Sequence, residues 1–178
     1  MKKGKVLIFS VGILSLFYSY VLSLSLTPEV SVSYLEYYIK NSTMFYVQDV
    51  PDLLMPMDVT LSTKELKPYF SRDGWSKKSV KSGRALLLDK GKLLFNLREV
   101  NNITTFSFYF FPTNKNIKLV FSIAGERFEK LLVVDNVKPV TIHIPKKLIN
   151  DNPDAVNTLM ISASSSVSLN SLTVKDPK

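Results

Sequence analysis

The chain has 178 residues, 46% of them hydrophobic and 11% aromatic, with 23 lysines and arginines against 15 acids for a formal charge of +8. This composition excludes a disordered chain, and the absence of cysteine excludes disulfides, thiolate metal ligands and a nucleophilic thiol. The basic residues are spread along the chain and form no concentrated stripe, so a nucleic-acid partner is not expected.

Lys2, Lys3 and Lys5 precede Val6–Leu26, an uncharged run without proline. A helix over this run is about 31 Å long, one hydrocarbon core. The lysines would hold its start on the cytoplasmic side. Two readings stay open. A retained anchor suits the length and the late Phe17, Tyr18 and Tyr20; a cleaved signal peptide suits the basic start and the small residues around Ser23 and Ser25. Both export the remainder. The expected location is the cell membrane, single-pass with the C-terminal domain outside the cytoplasm, or a secreted or periplasmic protein if the helix is cleaved. The chain then divides into a leader with anchor or signal over 1–27, juxtamembrane strands and linker over 28–70 packing on the sandwich, and a β-sandwich over 71–178.

Pro28 ends the first helix. In Glu29–Lys40, Val30, Val32 and Tyr34 alternate with Ser31 and Ser33, the period of a first strand. Its tyrosines fit a buried strand face or an aromatic belt at the membrane interface equally well. Met44–Val50 and Met57–Ser62 read as strands on either side of the turn-rich Pro51–Pro56. Ser62-Thr-Lys-Glu65 matches a helix-start box and opens a short helical turn, Thr63–Tyr69. Asn41-Ser-Thr and Asn102-Ile-Thr match the N-glycosylation acceptor pattern.

Beyond Gly74 short strands follow at regular intervals: Arg84–Leu88, Lys92–Leu97, Thr104–Phe111, Ile117–Ala124, Phe128–Val134, Val140–Ile144, Thr158–Ser162 and Val167–Val174. Turn residues separate them, including Ala124-Gly125, Asp135-Asn136 and Asp151-Asn-Pro153. Phe106, Phe108 and Phe110 share one strand face, as do Leu119, Phe121 and Ile123, and both sets read as core. Pro145–Ile149 reads as a single helical turn. The expected fold is all-β: a jelly-roll-like antiparallel β-sandwich preceded by one N-terminal transmembrane or signal helix.

Gly74-Trp75-Ser76, the Arg-Ala-Leu-Leu-Leu strand, the long aromatic strand, the Val-Thr-Ile-His-Ile-Pro strand and the closing Leu-Met-Ile-Ser…Leu-Asn-Ser-Leu-Thr-Val pair occur in order. From about residue 70 to 176 this order resembles the jelly-roll sandwiches of the galactose-binding-like and carbohydrate-binding-module type. The resemblance implies that fold and a tendency to bind glycans or proteins; it carries over no ligand-contacting residue.

No catalytic constellation emerges. His143 stands alone between Ile142 and Ile144 and faces away from them. No Gly-x-Ser-x-Gly elbow and no glycine-rich phosphate loop occurs, so no catalytic, metal or cofactor residue is expected. Trp75 is either a sugar-stacking ring flanked by Arg72, Asp73 and Lys77, or a plug at one end of the sandwich. The leading expectation is a non-catalytic, membrane-anchored binding or scaffolding subunit with a protein partner in an envelope or surface complex, touching the membrane through residues 6–26. The alternative is an exported glycan-binding module with a polysaccharide partner. An envelope hydrolase comes last.

Overall fold

A computed structural model describes residues 2–26, 30–98, 100–134, 138–152 and 154–176, with side chains in the first helix given from Phe9 to Ser25. The Pro28 break, the leader-lysine side chains, the Asp135-Asn136 turn and Pro153 lie outside the described residues. The chain divides into two compact units, Met1–Val30 and Ser31–Lys178. In the first, α1 (Lys2–Leu26) takes up the whole apolar run as one helix with no polar face. Among the described residues no helix is long and apolar enough to cross a membrane.

Among the described residues the second unit contains nine strands: β1 (Thr60–Ser62), β2 (Ala85–Leu87), β3 (Lys90–Phe95), β4 (Ile103–Phe110), β5 (Ile117–Ile123), β6 (Glu126–Leu132), β7 (Val140–Pro145), β8 (Asn157–Ala163) and β9 (Val167–Lys175). All ladders between them are antiparallel. One sheet runs β1-β9-β4-β7, with β2 also on β9; the other runs β3-β8-β5-β6. β1 and β2 lie end to end along the same side of β9, and β4 fills its other side. The eight strands expected after Gly74 are all present, shifted by a residue or two.

The alternation of β4 and β5 sets the core. Phe106 and Phe108 are buried and meet Phe95 and Phe121 of the other sheet at centroid distances of 5.3 and 4.8 Å. These contacts join the two sheets, and each buried phenylalanine contributes about 1.5–3 kcal/mol of apolar transfer. Ala124 and Gly125 close the β5–β6 hairpin with φ of 47° and 87°, the paired positive values that a two-residue turn needs. Pro145 precedes the expected turn, a 3-10 helix at Lys146–Leu148.

Two expected strands are absent. Ser31–Lys40 is helical: Ser31 caps α2 (Val32–Tyr34), its hydroxyl accepting from Tyr34 N–H at 3.3 Å, and a π turn follows over Leu35–Ile39. The alternation there is short. The helical form turns the Glu36 carboxylate inward, where Lys40 Nζ at 2.7 Å and the Ser42 hydroxyl hold it. Met44–Val50 also forms no strand. Only Thr43 bridges Ser71, and Met44 N–H donates to Phe70 O at 2.8 Å before the chain turns toward Pro51. Half of the helix-start box is present: Glu65 reaches back and accepts from both N–H and Oγ of Ser62 at 2.7 Å, so the hydroxyl bonds to the acid in place of a backbone N–H, and these bonds hold the carboxyl below the usual range. The turn behind it tightens into a 3-10 helix at Lys67–Tyr69.

Tyr69 is buried, and its hydroxyl donates to Leu54 O at 2.7 Å. Burial raises its pKa from 10.0 to about 12. Its neutral form is favoured in the folded state, so the stability it contributes is complete below pH 10 and is lost as pH rises through about 12. We expect unfolding free energy to fall by about 2–3 kcal/mol across that window, and the fall to be smaller in Tyr69→Phe. Denaturant titrations of both proteins from neutral to alkaline pH measure it; superimposable profiles would refute the assignment.

Candidate functional site

β3 is the edge strand of its sheet, so one row of its N–H and C=O groups needs partners from outside the sheet. Residues 70–75 supply them. Phe70 bridges Leu93, Ser71 N–H donates to Lys92 O at 2.9 Å, and Lys92 N–H donates to Ser71 Oγ at 2.9 Å. Trp75 adds its indole, Nε1–H donating to the same Lys92 O at 3.1 Å. Two glycines permit this closure. A Cβ on Gly74, at φ 85°, would stand 1.5 Å from Lys90 O, and one on Gly91 would stand 2.4 Å from Trp75 Nε1.

The closed edge forms one wall of a groove of about 440 Å³. Alternation turns Leu93 and Phe95 into the core and Lys90 and Lys92 outward, while Leu94, at an alternate position to Leu93 and Phe95, is buried and lines the groove. The β3–β8 register places Lys92 opposite Met160 and Leu94 opposite Thr158. Gly91, Leu94 and Met160 give the groove its apolar part. Ser42, Ser71, Asp73, Lys90, Lys92 and Thr158 give it hydroxyls, one carboxylate and two ammonium groups. Asp73, Lys90 and Lys92 are exposed and make no ion pair among the described residues. A larger recess of about 540 Å³ lies beside Pro51, Pro56 and Pro68. Two of its acids already have partners: Asp52 pairs with Arg98 at 2.8 Å, and Glu65 holds Ser62.

The four residues expected to form one sugar site go to four places. Trp75 is 4% exposed and packs on Phe70 at 4.6 Å, so it cannot stack on a ligand; it is the plug, and that corrects the stacking expectation. Asp73 lines the groove. Arg72 lies over the Tyr37 ring at 5.4 Å, and Lys77 over Phe45 at 5.9 Å. Lys90, Lys92, Thr158 and Met160 were missed, although the alternation of Lys90-Gly-Lys-Leu-Leu-Phe95 held the signal for the two lysines. Asn41 and Asn102 are both exposed. His143 is exposed, with Nδ1 3.0 Å from the Thr105 hydroxyl. Among the described residues no three acids or histidines gather as metal ligands.

No family model matches the chain, and no curated protein matches it. Solved structures of similar shape exist. A carbohydrate-binding module from Clostridium stercorarium in complex with cellobiose is 10% identical, with a TM-score of 0.42 over 67% of this chain and 94% of that one. A family 6 module from a Cellvibrio mixtus lichenase, in complex with cellotriose, is 13% identical, with a TM-score of 0.43 over 69% and 100%. A family 115 4-O-methyl-α-glucuronidase specific for decorated arabinogalactans is 12% identical, with a TM-score of 0.48; the match covers 70% of this chain but 18% of that enzyme.

Trp75 is the chain's single tryptophan, so its emission reports this edge alone. We expect emission shielded from acrylamide, and a loss of about 3–5 kcal/mol of stability in Trp75→Ala. A readily quenched tryptophan whose removal leaves the melting curve in place would contradict the buried position.

Proposed function

We propose that the protein is a non-catalytic glycan-binding module, exported and held at the membrane by α1. The groove on the closed edge of β3 carries this reading. It combines an apolar floor with ammonium groups that donate, a carboxylate that accepts and hydroxyls that do both, the polar complement of a sugar's hydroxyls over its C–H face. None of its charges is neutralised by a neighbour among the described residues, so a ligand can bond to them without first breaking an ion pair. Binding fits the groove better than cleavage. It is lined by one carboxylate, Asp73, whereas glycoside hydrolysis generally needs two. The apolar Val6–Leu26, helical and without a polar face, favours a membrane tether.

A scaffolding role in an envelope complex stays secondary. The open edge of the second sheet, β6, alternates charges in Glu126, Arg127, Glu129 and Lys130, a pattern that discourages pairing with another strand.

The test is retention and calorimetric titration of the detergent-solubilised full chain on a panel of soluble polysaccharides. Hydrogen bonds to charged groups contribute about 1.5–3 kcal/mol, so Asp73→Ala and Lys92→Ala should each weaken the best ligand by about tenfold or more. Both side chains are exposed, so melting should be unchanged. Binding that survives both substitutions, or no retention on any polysaccharide, would remove the groove as the site.

A further inference from the structure

A second surface of the same unit lies outside the groove. The Ser31–Lys40 segment gathers four tyrosines, three from the helix and Tyr46 from the following loop. Their rings meet as Tyr34–Tyr38 and Tyr37–Tyr38 at 4.7 Å, Tyr38–Tyr46 at 5.5 Å, Tyr37–Tyr46 at 6.0 Å and Tyr34–Tyr46 at 6.3 Å. Tyr34, Tyr38 and Ile39 are exposed, at 38%, 52% and 64%. The four phenol hydroxyls make no hydrogen bond to the described residues.

One cation lies on the cluster, and two lie on the ring of the residue before Tyr46. The Arg72 guanidinium lies 5.4 Å over Tyr37, and Lys67 and Lys77 each lie 5.9 Å from the centre of the neighbouring Phe45 ring. None of the three is in an ion pair among the described residues. The acid within the segment, Glu36, is buried and held by Lys40. Arg72, Lys67 and Lys77 therefore leave unneutralised positive charge on these rings.

We propose that this patch docks on an anionic lipid headgroup layer. The ring planes cross at 38° to 89°, so the cluster offers edges and hydroxyls and has no flat common face on which a sugar could stack. A tyrosine with an apolar body and a free hydroxyl suits the headgroup level of a bilayer. Basic side chains beside it are drawn to acidic lipid. The proposal does not depend on the groove.

The absence of native cysteine makes the test direct. The full chain carries one introduced thiol, Ile39→Cys at the patch or His143→Cys on the other sheet, labelled with a fluorophore. It is placed in phosphatidylcholine vesicles with or without phosphatidylglycerol, doped with a headgroup nitroxide lipid. We expect strong quenching at position 39, weak quenching at 143, and a difference that grows with phosphatidylglycerol. Arg72→Gln with Lys77→Gln should reduce the docked population by about fivefold per cation, and Tyr34→Ser with Tyr38→Ser should reduce it as well. Equal quenching at the two positions, or quenching indifferent to these substitutions, overturns the proposal. So does a tyrosine pair that lowers polysaccharide retention and leaves quenching unchanged, because the patch would then be a sugar site. Polysaccharide retention by the wild-type chain separately decides the groove.

Discussion

The carbonyl of Lys92 is the point on which this structure turns. An edge strand leaves half its backbone groups without a sheet partner, and in a domain without disulfides those groups must be met by folded chain or by water. Here one oxygen accepts from both the Ser71 backbone and the Trp75 indole. That double acceptance fixes residues 70–75 along β3, and further structure is built outward from it. Arg72 N–H reaches Ser42 O at 2.8 Å, Met44 N–H reaches Phe70 O at 2.8 Å, and Ser33 N–H reaches Pro51 O at 2.7 Å. The helical segment bearing the tyrosines is thus attached to the sandwich through the strip that closes its edge. Groove and aromatic patch share a support without sharing a side chain.

Much of the sandwich is legible in the sequence because strand periodicity is a local property. Phe106, Phe108 and Phe110 declare their face without knowledge of any partner, and the Ala-Gly tip of the β5–β6 hairpin declares its own turn. The helix over residues 32–39 was hidden for the opposite reason. Val30, Val32 and Tyr34 alternate convincingly, but what decides their conformation is Glu36, whose carboxylate needs Lys40 and Ser42 around it, an arrangement that a strand's geometry does not offer. The groove was less visible still. Its parts come from residues 42, 71–73, 90–94 and 158–160, and only the β3–β8 register and the closed edge bring them together. Trp75 shows the limit of reading a residue by its immediate neighbours: polar residues flank it in sequence, yet the ring points to Phe70 and a backbone carbonyl.

The surface charge is arranged unevenly. On the outer face of the second sheet, Lys118 pairs with Glu129 at 2.8 Å, and the lysine holds that carboxyl below the usual range. Such exposed pairs contribute little to stability. Among the described residues Lys90 and Lys92 at the groove, and Lys67, Arg72 and Lys77 against aromatic rings, make no ion pair. Charge that is already balanced contributes mainly to solubility, whereas charge left open beside an apolar surface favours an anionic or hydroxyl-rich partner.

The central strand of the first sheet also governs when that sheet can exist. β9 lies between β4 on one side and β1 and β2 on the other, and it follows every one of them in the chain. As the polypeptide emerges from its N-terminus, those three strands wait with their inner faces incomplete until Val167–Lys175 arrives. A nascent chain shorter than this has no stable partner for β1 at all, since its ladder is to β9. Completion of this sheet therefore waits for Val167–Lys175 and depends on contacts between distant segments, the slow class of topology. Until β9 is present the first sheet lacks its central strand, so a chain ending before Val167 keeps the inner faces of β1, β2 and β4 open.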